Sequence, residues 1–274
     1  MGTSFTGSRN AIGNTLGRLG ITRAGFEIGR LRKKFLEAAP GSVVDYDGYR
    51  IRITDGKSFY VQIKDEFIHQ IYRFETATKA PVIIDGGSNI GVSILYFKRL
   101  YPAARIIGFE PDPEIFQILQ ENVSVNSLEG VELINAGLGS EARSARFVAD
   151  HSAGGRVADD VGAIEVQIVP LSTSITGKVD FLKLNIEGEE LPVLQELEDN
   201  GTLCLVQQLV LEYHGWPTGD QKLGAILELL DRNDFRYLIH DFDAETGSET
   251  KPPFNWHPGK TWFCLVYAEN QAKR

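Results

Sequence analysis

From residue 81 onward, short apolar runs alternate with amphipathic stretches along the chain. The apolar runs predict buried strands, and apolar positions three or four residues apart predict the helices between them. Because strands that alternate with helices form parallel sheets through right-handed crossovers, we expect such a sheet here. The last strand follows its predecessor without a helix, so we expect it to be antiparallel. The predicted strands cover 82–84, 105–109, 131–134, 179–184, 208–211, 235–239 and 261–267, with helices over 90–100, 113–125, 189–198 and 220–233 and an inserted hairpin over 143–170.

The first 79 residues follow a different pattern. Apolar residues at helical spacing predict a helix over 10–38, which Pro40 and Gly41 end. Alternating apolar and polar residues then predict two strands over 42–62, joined by a hairpin turn at Asp55-Gly56. We therefore predict an N-terminal helical arm and β-hairpin extension over residues 1–79 and a larger domain over residues 80–274.

Composition narrows the class of protein. The chain has 274 residues, of which 42% are hydrophobic and 24% charged, as in ordinary globular domains. No apolar run approaches the about 18 residues of a membrane-spanning helix, so we expect no transmembrane segment. The two cysteines, Cys204 and Cys264, lie in apolar runs that predict strands, which favours buried thiols and a reducing, cytoplasmic location. The net charge of −9 argues against a duplex nucleic acid as partner, because binding its phosphates needs a basic face.

A glycine-rich turn, Asp85-Gly86-Gly87-Ser88-Asn89-Ile90-Gly91, follows the first buried strand of the repeating pattern. Glycines let a ligand approach the backbone, and the helix that follows offers unpaired N–H groups. Ser88 occupies the position of the second glycine in the dinucleotide fingerprint, which disfavours a nicotinamide dehydrogenase. Asp85 would repel a pyrophosphate and suits a ligand with a cationic group. The alternative is a generic tight turn.

A second acidic residue, Glu110, ends the next strand. Because the carboxyl ends of parallel strands meet at one edge, we expect Glu110 beside the turn, where ligands bind in such sheets. A carboxylate there can accept hydrogen bonds from both hydroxyls of a ribose and would repel a 2′-phosphate. The alternative role, a helix N-cap, suits Asp112 better, since Asp112 directly precedes Pro113.

Three ordered motifs together resemble one known family. They are the turn at 85–91, Phe109-Glu110-Pro111, and the stretch from Asp180 to Glu190 that carries Lys183, Asn185, Glu187 and Gly188. Over about residues 80–242, the chain is similar to the FkbM-type S-adenosylmethionine-dependent methyltransferases. The resemblance implies an α/β fold, namely the Rossmann-like class I methyltransferase sheet of seven mostly parallel strands with an antiparallel C-terminal strand.

The resemblance also implies S-adenosylmethionine as the cofactor. This sulfonium carries an α-ammonium group and a ribose diol, so it is the ligand that acidic strand ends favour. The cofactor-binding residues predicted from the motifs and their neighbours are Asp85, Gly86, Gly87, Ser88, Asn89, Gly91, Glu110, Pro111, Asn135, Ala136 and Asn185.

One position departs from the family pattern. The family usually has an aspartate where this chain has Asn185. An amide does not accept a proton at neutral pH and is a weak metal ligand, so neither role transfers from an aspartate. This departure keeps a non-catalytic cofactor-binding protein open as an alternative. A divalent metal could bind the nearby carboxylates, but no histidines pair at metal-ligand spacing and no ligand set is predicted.

His214 is the main candidate for a catalytic base. It follows the fifth strand, at the same carboxyl edge as the predicted cofactor site, and an imidazole titrates near neutral pH. Glu187 and Glu212 lie on the same edge and could orient His214, act as the base or bind a cation. The alternative is that His214 only ends a strand.

The expected reaction is O-methylation of a sugar hydroxyl on a glycan, glycolipid or glycosylated metabolite. The acceptor class follows from the family resemblance alone. Alternatives are an N- or C-methyltransferase that acts on a small molecule, or the non-catalytic protein. The oligomeric state is not predicted.

The N-terminal arm is positively charged, whereas the rest of the chain is negatively charged. Residues 1–37 carry a net charge of +5, which leaves −14 for the rest of the chain. Three functions fit this arm. Met1–Thr6 match a myristoylation pattern, and the lack of acids up to residue 26 is typical of transit peptides. A basic amphipathic helix could also contact an anionic membrane surface. We favour an arm that packs on the sheet or completes the acceptor pocket.

Overall fold

The computed structural model describes residues 23–149, 155–157, 164–215, 220–240 and 261–272. The helices are α1 (Arg23–Leu36), α2 (Gly56–Gln62), α3 (Val92–Leu100), α4 (Pro113–Val125), α5 (Glu190–Asp199) and α6 (Leu223–Arg232). The strands are β1 (Val43–Tyr46), β2 (Tyr49–Arg52), β3 (Val82–Gly86), β4 (Arg105–Phe109), β5 (Val131–Ile134), β6 (Gly137–Gly139), β7 (Arg143–Ala149), β8 (Gly155–Val157), β9 (Ile164–Pro170), β10 (Val179–Leu184), β11 (Val206–Gly215), β12 (Phe235–His240) and β13 (Trp262–Asn270). A π-helical segment, Ile63–Ile68, continues α2.

Seven strands form the central sheet in the order β12-β13-β11-β10-β3-β4-β5. Neighbouring strands pair in parallel except where β13 lies antiparallel between β11 and β12. This arrangement confirms the predicted methyltransferase-type sheet with an antiparallel last strand. The chain winds outward from β3 through β4 and β5, then returns to β10 on the other side. The carboxyl ends of β3 and β10 therefore flank the crevice in which doubly wound sheets bind ligands.

A second sheet is inserted after β5, with strand order β6-β9-β7-β8. β7 and β9 pair antiparallel, which confirms the hairpin predicted over 143–170. The residues that join β7 to β8, 150–154, lie outside the described part of the chain.

The N-terminal hairpin lies earlier in the chain than predicted. β1 and β2 turn at Asp47-Gly48, where both residues have positive φ, as a tight two-residue hairpin requires. The predicted turn residue Asp55 instead caps α2, since its side chain accepts the Ser58 N–H at 2.8 Å. Gly56 is needed for packing, because a Cβ there would collide with the carbonyl oxygen of Phe35 in α1. The predicted second strand is therefore helical.

The helix predicted over 10–38 is present as α1, which ends at Leu36, before the predicted stop at Pro40. Its buried residues Leu31 and Phe35 are one turn apart and join the same hydrophobic cluster as Ile94 and Phe97 of α3. Residues 1–22, which include the myristoylation pattern and most of the basic arm, lie outside the described ranges. The boundary between residues 79 and 80 stays a prediction.

A buried asparagine ties the N-terminal hairpin to the glycine-rich turn. Asn122, in α4, accepts the Arg52 N–H at 2.7 Å and donates to the Arg52 carbonyl at 3.0 Å. Its amide also donates to the Ile90 carbonyl at 2.8 Å. One side chain thus satisfies backbone groups of β2 and of the turn. Asp112 caps α4 as predicted, by accepting the N–H groups of Glu114 and Ile115.

The two cysteines differ in environment. Cys264 is buried in β13, as predicted, whereas Cys204 is exposed in a 3-10 turn, Leu203–Leu205. The prediction of a buried strand at Cys204 is wrong because β11 begins only at Val206. Within the ranges that the structure describes, no helix has both the length and the apolar character needed to cross a membrane.

Candidate active site

The glycine-rich turn joins the end of β3 to the start of α3. Gly87, Asn89 and Gly91 have φ values of 82°, 48° and 91°. This left-handed conformation favours glycine and is tolerated by asparagine. A Cβ on Gly87 would also collide with the backbone carbonyl oxygen of Asn185, directly after β10. The turn therefore needs glycine both for its conformation and for its contact with the neighbouring strand end.

Asp85 lies beneath this turn and is fully buried. Lys183 Nζ donates to Asp85 Oδ1 at 2.8 Å, and Ser93 Oγ donates to Asp85 Oδ2 at 2.5 Å. The same Lys183 Nζ donates to the backbone carbonyls of Gly86 and Gly87, at 3.2 and 2.8 Å. Asp85 thus orients a buried lysine that supports the turn, and protein donors occupy both of its oxygens.

Glu110 lies at the end of β4, beside the turn. Its Oε2 accepts the Asn89 N–H at 3.0 Å, and its Oε1 accepts the Asp112 N–H at 2.9 Å. Burial raises the pKa of Glu110 to about 7, although both backbone hydrogen bonds oppose that shift. The Asn135 amide donates to the backbone carbonyls of Glu110 and Pro111, at 2.8 and 3.1 Å. These contacts bring the segments after β3, β4 and β5 together at one edge.

Each predicted cofactor-binding residue has a place along this edge. Asp85, Gly86, Gly87, Ser88, Asn89 and Gly91 form the end of β3 and the turn, Glu110 and Pro111 follow β4, Asn135 and Ala136 follow β5, and Asn185 follows β10.

A polar cluster lies at the ends of β10 and β11. Glu212 Oε2 accepts hydrogen bonds from the Asn185 amide at 3.2 Å and from the Tyr72 hydroxyl at 3.3 Å. Burial raises the pKa of Glu212 to about 7, and the nearby Lys183 opposes the shift. Among the described residues, Asn185 Oδ1 is a buried oxygen with no hydrogen-bond partner.

His214 lies in the same cluster, near the end of β11. Its Nδ1 is 3.2 Å from the Glu212 backbone oxygen, which accepts a hydrogen bond from the ring in the tautomer with the proton on Nδ1. Its Nε2 faces two carboxylates, with Glu187 Oε2 at 3.3 Å and Glu212 Oε1 at 3.7 Å. Burial lowers the pKa of His214 to about 4, so the ring is neutral at neutral pH. The three predicted catalytic residues are therefore in mutual reach.

Glu190 shapes the loop that presents Glu187. The Glu190 carboxylate accepts the Ile186 and Gly188 N–H groups, each at 3.1 Å, and burial raises its pKa to about 7. Glu187 itself has a φ of 56°, an uncommon conformation for a residue with a side chain. Glu190 therefore positions the loop that carries Glu187.

Two residues beside the cluster, Glu66 and Tyr72, are not among the cofactor-binding and catalytic residues predicted from the sequence. Both belong to the N-terminal region, and both are buried next to the cluster. Glu66 lies in the π-helical segment, directly after a stretch whose alternation predicted a strand. The sequence gives no local signal for Glu66, because this residue ends a run of three charged residues, Lys64-Asp65-Glu66.

No group of three or more histidine, cysteine, aspartate or glutamate side chains within the described ranges has metal-binding geometry.

Comparisons with known proteins agree with the motifs. The sequence model of the family described as "Methyltransferase FkbM domain" matches residues 85–237, more than half of the chain. Methyltransferase sdnD of Sordaria araneosa is 30% identical over 206 residues, which cover 60% of this chain and 78% of that protein. Methyltransferase 1 of Beauveria bassiana is 28% identical over 188 residues, which cover 55% of this chain and 76% of that protein.

The solved structures that this chain resembles are less similar to it in sequence than these two relatives. The methyltransferase FkbM from Methylobacillus flagellatus KT has 14% identity and a TM-score of 0.44, with 96% of this chain and 71% of that chain covered. A TM-score below 0.5 adds no weight to the assignment, which rests on the family model and the curated relatives. The chain belongs to the FkbM methyltransferase family and is an S-adenosylmethionine-dependent methyltransferase.

Proposed function

We propose that the chain methylates a hydroxyl oxygen of a sugar, on a glycan, a glycolipid or a glycosylated metabolite. One observation carries the proposal: His214 Nε2 lies within 4 Å of the carboxylates of Glu187 and Glu212, at the sheet edge to which we assign the cofactor. A hydroxyl must lose its proton when it is methylated, so a buried proton acceptor at this edge favours an oxygen acceptor.

The residues at the edge fit the cofactor. Glu110 uses one acceptor position on each oxygen for a backbone N–H, which leaves further lone pairs for the two ribose hydroxyls. Asn135 holds the backbone beside Glu110, where the adenine would lie. The unpartnered Asn185 Oδ1 can accept a hydrogen bond from the methionine end. When bound, the cofactor supplies an electrophilic methyl group on a positively charged sulfur.

The protein would align the acceptor and take up its proton. In the neutral tautomer with its proton on Nδ1, the Nε2 atom of His214 can receive the proton that the hydroxyl loses. The imidazolium formed in this way would lie beside Glu187 and Glu212, whose negative charge stabilises it. Asn185 and Tyr72 fix the Glu212 carboxylate through their hydrogen bonds to Oε2. A nitrogen acceptor with a free lone pair would have less need of this arrangement.

The acceptor class can be tested with methyl-labelled cofactor and fractionated extract from the source organism. We expect label in a glycan or glycolipid fraction, and O-methyl sugars after acid hydrolysis of that fraction. A matched reaction with excess S-adenosylhomocysteine should suppress the label, since the product competes for the same site. Label recovered only in protein, or on nitrogen, would contradict the sugar proposal.

A further inference from the structure

We propose that Glu66, together with Asn185, forms a buried subsite that binds the α-ammonium group at the methionine end of the cofactor. This places an essential contact to the cofactor in the N-terminal region, outside the span that the family model matches.

The acid within the glycine-rich motif is not available for this contact. Asp85 is fully buried, Lys183 donates to one of its oxygens and Ser93 to the other. Lys183 has a side-chain exposure of 3%, so the pair is closed off from any ligand. A cationic group bound beside the turn therefore needs another carboxylate.

Glu66 is that carboxylate. The residue is 7% exposed, and its Oε2 has no hydrogen-bond partner among the described residues. Asn185 Oδ1 is buried without a partner as well. A buried polar atom without a partner is costly, and both of these oxygens can only accept when Glu66 is ionised. An ammonium group offers three donors and a positive charge, which satisfies both atoms.

The position of Glu66 relative to the turn supports the same assignment. Gln62, at the end of α2, donates to Asn89 Oδ1 at 3.1 Å and so fixes the helix over the turn. Glu66 follows four residues later in the π-helical segment, a form of helix that is frequent at functional sites. It faces the end of β10 closely enough for the charges of Lys183 and Glu212 to act on it.

The charges around Glu66 make its ionisation depend on the ligand. Burial raises the pKa of Glu66 well above its usual value, and Asp85, Asp65 and Glu212 raise it further. The charge of Lys183 opposes this shift. Burial raises the pKa of the nearby Tyr72 hydroxyl, and Glu212, Glu66 and Asp85 raise it further. A bound ammonium group would favour the carboxylate form. Cofactor binding should therefore lower the pKa of Glu66, with proton release at pH values near that pKa.

Binding calorimetry can test the subsite without any acceptor. S-adenosylhomocysteine carries the α-ammonium group, whereas 5′-methylthioadenosine lacks the amino-acid end. We expect Glu66→Gln to weaken S-adenosylhomocysteine binding by about 10- to 100-fold, as for loss of a charged hydrogen bond, and to leave methylthioadenosine binding unchanged. Glu75→Gln is the matched control, because it makes the same substitution at an acid of the N-terminal region whose side chain is 87% exposed. We expect this control to bind both ligands like the parent chain.

A proton readout separates a direct contact from a structural role. Titrations in two buffers of different ionisation enthalpy should show less proton release on S-adenosylhomocysteine binding for Glu66→Gln than for the parent chain. Equal binding of S-adenosylhomocysteine by both chains would overturn the subsite. Equal weakening of both ligands would also overturn it, since that result indicates a distorted site. None of these outcomes depends on the acceptor, so the sugar proposal can fail independently.

Discussion

Replacing His214 by glutamine is expected to lower kcat by about 10²- to 10⁴-fold, the usual contribution of a positioned general base. Affinity for S-adenosylhomocysteine should be unchanged, because His214 lies near the end of β11, packs against Phe263 and is not among the residues that we assign to the cofactor. Single-turnover methyl transfer and binding calorimetry on the same preparation measure the two quantities. His240→Gln, at an exposed position near the end of β12, is the matched control and should retain full activity.

The pH profile distinguishes a proton acceptor from a packing residue. The pKa of Glu212 is raised to about 7, so its carboxylate form, which stabilises the imidazolium, is lost as the pH falls through that value. The kcat of the parent chain should therefore rise with pH through about 7, and this rise should be much weaker in His214→Gln. If His214→Gln keeps a kcat close to that of the parent chain, His214 is not the general base.

Replacing Lys183 by methionine is expected to destabilise the fold by about 3–5 kcal/mol, because it leaves the charge of Asp85 buried without a counter-charge. The carbonyls of Gly86 and Gly87 lose their donor in the same variant. Urea unfolding at pH 7 measures the decrease in the free energy of unfolding. The double variant Lys183→Met with Asp85→Asn should be more stable than the single variant, because the unpaired charge is gone.

An exposed ion pair serves as the control for the buried pair of Lys183 and Asp85. Arg52 and Glu121 form a short ion pair, but both side chains are 44% exposed, so Glu121→Gln should cost no more than about 1 kcal/mol. If Lys183→Met also lowers the free energy of unfolding by less than about 1 kcal/mol, the buried pair does not support the turn.

The central sheet could be predicted because its strands are buried on both faces. Such strands give continuous apolar runs, as in β10, where all six residues are buried. The antiparallel last strand followed from the absence of a helix before it. Acidic residues at the ends of β3 and β4 could be placed near one another for the same reason, since parallel strands end at one edge.

The N-terminal region was predicted less well because two Asp-Gly pairs compete for one hairpin. Asp47-Gly48 and Asp55-Gly56 both fit a turn, and only the packing of Gly56 against Phe35 decides between them. The resulting helical structure over 56–68 is what carries Glu66 to the site. The pattern of apolar and polar residues around Gly56 gives no information on its contact with Phe35.

The role of Asp85 also depends on contacts distant in sequence. Its motif indicates a ligand-binding acid, but its partner Lys183 is 98 residues away and pairs with it across adjacent strands. The sequence contains both residues in recognisable motifs. Only the strand register shows that the charge of Lys183 neutralises that of Asp85.

The most direct test of the proposed site is a crystal structure of the chain with S-adenosylhomocysteine bound. We expect both ribose hydroxyls on the Glu110 carboxylate, the amino-acid end beside the glycine-rich turn, and the sulfur facing the cluster of Glu187, His214 and Glu212. A ribose bound away from Glu110, or a sulfur directed away from His214, would contradict the proposed arrangement of cofactor and base.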